Sequence, residues 1–148
     1  MRVCVDTSIL IDVLKDEFRE YQELFYGALS AGEVLVIPSI VYAELLPQFQ
    51  GNIRDASQFL EDHMIWIESL DQEAASLAGQ RWMKYLKKKN KIICPHCWKP
   101  LPHKSHVLSD FYIGGFALAR CDAILTRDRG IFRKYFQEVK GYRNCLNL

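Results

Sequence analysis

Long hydrophobic runs are missing from this sequence: none reaches the ~18 residues that a membrane-spanning helix needs. No signal peptide is legible either, because Met1-Arg2-Val3-Cys4-Val5-Asp6 meets an acid too early. The expectation is a cytoplasmic protein without a membrane partner. Internal repeats are absent, and no second set of elements is visible. A single domain is therefore expected over residues 1–148, a length that suits one real core. The 5 cysteines are odd in number and unevenly spaced, which argues against a disulfide framework. Cys4, Cys121 and Cys145 lie among apolar neighbours and read as small buried hydrophobes.

Charge of one sign is scarce in each part of the chain. Residues 1–80 hold only 4 Lys/Arg against 14 Asp/Glu, a net −10, whereas residues 81–148 hold 15 Lys/Arg against 4 Asp/Glu, a net +11. A protein with one face turned to a polyanion would show this split, and so would solvated faces that happen to segregate.

Short apolar runs alternate with amphipathic stretches. Val3–Val5, Val34–Ile37, Met64–Ile67 and Ala123–Leu125 read as strands, with Glu138–Lys140 as a last edge strand. Val34–Ile37 is β-branched and apolar throughout, as expected of a strand covered on both faces. Helices are expected from Ile9, over Glu17–Leu29, Ile40–Phe49, Ile53–Asp62 and Asp71–Lys88, from Asp110 onward, and over Arg129–Phe136. Thr7 or Ser8 can cap the first of these. This alternation predicts an α/β three-layer sandwich, a central, mostly parallel sheet of 4–5 strands flanked by helices. Gly114-Gly115 falls inside a predicted helix, where it suggests close packing on the sheet.

Four acids hold positions that such a fold brings together. Asp6 directly follows the first strand, and Glu44 lies about two helical turns beyond the second. Asp110 opens the helix that leads into the fourth strand, and Asp128 follows that strand. The C-terminal strand ends of a parallel sheet share one edge, where ligands gather. Asp122 is excluded because it precedes its strand, about 13 Å of extended chain from that edge. Clustered carboxylates repel one another without a cation, and an all-oxygen donor set selects hard ions such as Mg²⁺ or Mn²⁺. The chemistry this points to is phosphodiester hydrolysis by an activated water. Thr126 can hold a ligand or water through its hydroxyl, and Arg127, Arg129 and Arg133 can neutralise phosphates. Asp6, Asp110 and Asp128 also fit as plain helix caps. Glu44 fits that alternative less well, because it stands in Val41-Tyr42-Ala43-Glu44-Leu45-Leu46, where an unpaired buried acid is costly.

Four stretches carry a family resemblance: Val5-Asp6-Thr7-Ser8-Ile9-Leu10, Tyr42-Ala43-Glu44-Leu45, Ser109-Asp110-Phe111 with Ile113-Gly114 and Ala117, and Ile124-Leu125-Thr126-Arg127-Asp128-Arg129-Gly130 with Phe132 and Tyr135-Phe136. In order and spacing the chain resembles a PIN domain, and more closely a VapC-type toxin ribonuclease of type II toxin–antitoxin systems. The resemblance spans nearly the whole chain except residues 89–108. It implies a PIN-like fold and an endoribonuclease using one or two Mg²⁺ or Mn²⁺ ions. It carries over Asp6, Glu44, Asp110 and Asp128 as metal ligands, with Thr126 as a secondary site residue. It also implies a homodimer and a VapB-like antitoxin that docks on the site. A PIN-fold RNA-processing nuclease and a non-catalytic RNA-binding module are the competing readings.

Residues 89–108 depart from the family pattern and read as an inserted basic loop. Cys94-Pro95-His96-Cys97 followed by His103 and His106 has the ligand set of a structural zinc site, whose alternative is two reduced thiols in a basic loop. Lys87, Lys88, Lys89 and Lys91 flank the insertion, and Lys99, Lys104 and Trp98 lie within it. Basic residues beside an aromatic suit single-stranded RNA, although lysines are also favoured at a helix end by its dipole.

Overall fold

The computed structural model describes residues 1–88, 94–99 and 107–147. The strands are β1 (Arg2–Val5), β2 (Val34–Pro38), β3 (Ile65–Glu68), β4 (Ala123–Leu125) and β5 (Lys140–Gly141). The α-helices are α1 (Thr7–Lys15), α2 (Arg19–Ser30), α3 (Ser39–Leu45), α4 (Ile53–Asp62), α5 (Gln72–Lys88), α6 (Val107–Arg120) and α7 (Gly130–Tyr135). Two 3₁₀ turns, Leu46–Phe49 and Tyr142–Asn147, complete the described chain. The sheet order is β3-β2-β1-β4-β5, and every pairing is parallel. Among the described residues no helix is long and apolar enough to cross a membrane.

The three inner strands are apolar on both faces because both faces are covered. Val3, Cys4 and Val5 of β1 are fully buried, as are Leu35, Val36 and Ile37 of β2. Consecutive strand residues point to opposite sides, so burial without alternation requires a layer on each. Phe25, Phe111, Phe116, Phe132, Phe136 and Tyr142 fill those layers with large fully buried side chains. β3 is different. It forms one edge of the sheet, and Trp66 is 67% exposed there beside Met64 and Ile67.

Several expected boundaries shift for local reasons. The third helix ends at Leu45 rather than Phe49, and the chain tightens into a 3₁₀ turn. Pro47 has no N–H to donate back along an α-helix there. The last strand is Lys140–Gly141, a little beyond the expected Glu138–Lys140. Gly114 and Gly115 do mark close packing, but against helices rather than the sheet. A Cβ at Gly115 would meet Ala78 Cβ of α5 at 2.9 Å, and one at Gly114 would run into the Phe136 ring just after α7. Cys4 and Cys145 are buried as expected, Cys121 is half-buried, and all 5 thiols are free.

The topology sets where a site can form. From β1 the chain builds outward through β2 to β3, then crosses over to place β4 and β5 on the other side of β1. The direction of winding therefore reverses between β1 and β4. In open parallel sheets the crevice for ligands lies outside the C-terminal strand ends at such a reversal.

Candidate active site

Asp6 leaves β1 at that reversal. Its N–H donates to Leu125 O of β4 at 2.9 Å, which ties the two strand ends together. The carboxylate takes three further bonds: Oδ1 accepts from Thr7 N at 2.8 Å, and Oδ2 accepts from Ser8 Oγ and Thr126 Oγ1, each at 2.7 Å. Asp6 thus caps α1, in place of Thr7 or Ser8, and uses its second oxygen for the site. Burial pushes this carboxyl up from its ordinary range, the Ser8 and Thr126 bonds hold it down, and the nearby Glu44 charge pushes it up again.

Glu44 comes from α3, where its Oε2 accepts a hydrogen bond from Thr7 Oγ1. It is half-buried and lines an open cavity, so the full cost of a buried unpaired acid does not apply to it. Asp110 lies in the first turn of α6, three residues past its start at Val107, so it is not the residue that opens that helix. Its carboxyl is raised to about 8, first by burial and then by the charges of Asp6, Asp128 and Glu44. Asp128 follows β4 on an exposed turn, where its Oδ1 accepts from Gly130 N at 2.9 Å and so does serve a local turn. Thr126 Oγ1 also accepts from Asp128 N at 3.0 Å, which makes the threonine a bracket between two acids.

Asp6, Glu44, Asp110 and Asp128 line one cavity of about 460 Å³ together with Thr7, Ser8, Ile11, Pro47 and Ser109. Asp122 stands apart: its Oδ2 accepts from Arg2 N at 2.7 Å, at the start of β1 and the opposite edge of the sheet. As the side chains are placed, no three His, Cys, Asp or Glu among the described residues converge on one metal position. The donor chemistry nevertheless fits a hard cation, because Mg²⁺ retains several waters and is bound through only one or two carboxylates. The mutual electrostatic pressure on Asp110 is relieved by positive charge in the cavity.

Arg127 is re-aimed relative to its expected role at phosphates. Its Nε and Nη2 donate to Asp12 Oδ2 and Oδ1 at 2.9 and 3.2 Å, and its guanidinium lies 3.9 Å from the centre of the Phe18 ring. Asp12 is fully buried on α1. Burial pushes the Asp12 carboxyl up, and Arg127 opposes this through its hydrogen bonds and charge. Arg129, Lys87 and Lys88 are exposed. Lys88 lines a separate cavity of about 450 Å³ with Arg81, Lys84, Lys134, Tyr135, Gln137 and Glu138. Lys89, Lys91, His103 and His106 lie outside the described residues.

Thr7, Ser8 and Asp12 support the site without a sequence pattern that marks them for it. The available signal was the run of hydroxyls at the two positions after Asp6, which read only as helix caps.

A family model for the PIN domain matches residues 3–137, and the chain belongs to that family, whose members are generally nucleases. Among solved structures, the chain resembles one described as "2.2 A resolution structure of VapBC-1 from nontypeable Haemophilus influenzae". That likeness has a TM-score of 0.66 at 20% identity and covers 95% of this chain and 96% of the other, which places the fold. No curated protein matches the sequence.

Proposed function

We propose that this chain is an Mg²⁺- or Mn²⁺-dependent endoribonuclease and the toxin of a toxin–antitoxin pair. One observation carries the reading: four acids from separate parts of the chain line one cavity at the sheet reversal, and three of them act electrostatically on the fourth, Asp110. Family membership supports the nuclease class. The resemblance to VapBC-1 supports an antitoxin partner, and a homodimer is proposed from the VapC-type resemblance of the sequence motifs.

Asp6, Glu44, Asp110 and Asp128 would hold the cation. When bound, it supplies charge neutralisation at a phosphate and a water of lowered pKa. The chain's own residues set the geometry. Thr126 and Ser8 fix the Asp6 carboxylate in one orientation. Thr7 fixes Glu44 from the first turn of α1. Asp110, with its raised carboxyl, binds a proton when the cavity lacks a cation and becomes a charged ligand when the proton leaves. Exposed cations including Arg129, Lys87 and Lys88 supply the positive surface for the RNA backbone.

The test is cleavage of single-stranded RNA by wild type and Asp110→Asn, with Mg²⁺, with Mn²⁺ and with chelator. The expected result is cation-dependent internal cleavage by wild type, reduced at least about 100-fold in the variant. Equal cleavage by the variant, or cleavage undiminished by chelator, sinks the assignment. The toxin role is tested in cells. Expression should arrest growth, and co-expression of a cognate VapB-like antitoxin should relieve the arrest.

A further inference from the structure

The turn that carries Asp128 lies between β4 and α7, outside both elements, yet Arg127 within it is held at three points. Its side chain forks onto Asp12, with Nε donating to Oδ2 at 2.9 Å and Nη2 to Oδ1 at 3.2 Å. Its guanidinium lies 3.9 Å from the centre of the Phe18 ring. Its backbone N–H donates to Ser8 Oγ at 3.2 Å. Ser8 and Asp12 are four residues apart on α1, so they share one helical face. Main chain and side chain of one arginine thus grip successive turns of the helix that Asp6 caps.

Each grip reaches a cavity acid through one intermediate. Ser8 Oγ accepts from Arg127 N, which leaves the hydroxyl proton for Asp6 Oδ2, 2.7 Å away. Asp128 is the next residue after Arg127 and is exposed, so burial does not hold it in place. Fixing the Arg127 backbone fixes the planar peptide unit from which Asp128 departs. Phe18 shows that the surroundings of this grip are under strain. It takes a left-handed conformation at φ 49° although it is 47% exposed. A bulky residue keeps such a backbone only where its surroundings impose it. Here the conformation opens α2 and sets the ring against the guanidinium.

We infer that Arg127 is a positioning residue for the cation site, and that Asp12 and Phe18 form its seat. Its action runs through Ser8 to Asp6 and through the backbone to Asp128, not through contact with cation or RNA. The inference rests on the reading of the acid-lined cavity as a cation site.

The experiment titrates Mn²⁺ into the metal-free full chain by electron paramagnetic resonance and measures RNA cleavage at saturating Mn²⁺. Asp12→Asn/Arg127→Met removes the fork without stranding a buried charge. Its Mn²⁺ affinity should fall by about 10-fold, the usual cost of losing a residue behind a ligand. Its kcat should fall and its KM should not. Phe18→Gly removes the ring and suits the left-handed backbone, so its unfolding midpoint should hold while its Mn²⁺ affinity falls in the same direction. This second variant keeps the test decisive even where the first does not fold. A purely structural arginine would move stability alone, so a wild-type Mn²⁺ affinity in either variant overturns the inference. Wild type that binds no Mn²⁺ overturns the cavity reading together with it, which separates the two failures.

Discussion

Thr126 Oγ1 donates to Asp6 Oδ2 at 2.7 Å and accepts from Asp128 N at 3.0 Å, so one hydroxyl joins the ends of β1 and β4. Thr126 is fully buried, which makes both bonds costly to abandon. Thr126→Val keeps the shape and removes the hydroxyl. It should lower stability by about 1–3 kcal/mol, because a buried bond to a carboxylate is lost. It should also reduce RNA cleavage by about 10–100-fold, the usual cost of losing a residue that orients a ligand. Thr126→Ser should recover most of both. Denaturant unfolding and cleavage rates on the same preparations check this.

Asp110 gives a pH signature in the absence of divalent cation. Its carboxyl is raised from an ordinary 3.8 to about 8, so the folded protein holds that proton more tightly than the unfolded chain. The contribution is complete below pH 3.8 and is lost as pH rises through about 8. Chelated wild type should therefore lose on the order of 2 kcal/mol from this group between about pH 4 and 8, a value discounted for solvent in the open cavity. Asp110→Asn should abolish this slope and raise Tm near pH 8 while lacking activity. Thermal melts of both proteins across that range, with chelator present, decide the matter. A wild-type slope retained by the variant would refute it.

Arg127 and Asp12 form a pair whose worth lies in what its loss exposes. Removing Arg127 strands a fully buried carboxylate, at a cost of about 2–4 kcal/mol given that the arginine side is partly open to solvent. Arg127→Met should therefore destabilise strongly, and Asp12→Asn should restore much of that loss in the double variant. If the arginine instead acted mainly on phosphates, Arg127→Met would weaken RNA binding without shifting the denaturation midpoint.

The contrast between Arg127 and Asp6 shows what was legible before the fold was known. Asp6, Glu44 and Asp128 were readable because a parallel sheet fixes where strand ends go, and local sequence marks the strands. The all-parallel sheet followed from continuously apolar runs such as Val34–Ile37. Arg127 sits beside Asp128 in sequence, and its proximity suggested phosphate contacts. Its partner is 115 residues away on α1, and no local pattern announces that the Asp12 side of the helix is buried. The Gly114-Gly115 pair was likewise readable as a close approach, while its neighbours on α5 and near α7 depended on tertiary packing.

Glycines offer a direct test of that packing. Nothing lies within 4 Å of a Cβ built on Gly79, whereas one on Gly115 would meet Ala78 N and Cβ at 2.9 Å. Both residues are helical, on α5 and α6. Gly79→Ala should stabilise by about 0.5–1 kcal/mol through helix propensity. Gly115→Ala should destabilise by about 1–3 kcal/mol because α5 must move away. Opposite signs in paired unfolding measurements are the expected outcome, and equal signs would show that α5 and α6 do not approach so closely.

The basic cavity between α5 and α7 supplies the last prediction. Arg81 is committed there, donating to Tyr135 O at 2.6 Å and to both Glu138 oxygens at 2.7 and 3.0 Å. Lys84, Lys88 and Lys134 are exposed around it. Lys84 and Lys134 come from different helices and converge only in the fold, so no local pattern pairs them. If RNA phosphates follow this surface, each lysine displaces about 0.7 counterion on a single strand. Lys84→Ala/Lys88→Ala/Lys134→Ala should then flatten the log–log salt dependence of RNA binding by about 2. The acidic cavity is untouched by these changes, so the loss should appear in affinity rather than in the rate at saturating RNA. An unchanged salt slope would mean that RNA follows another face.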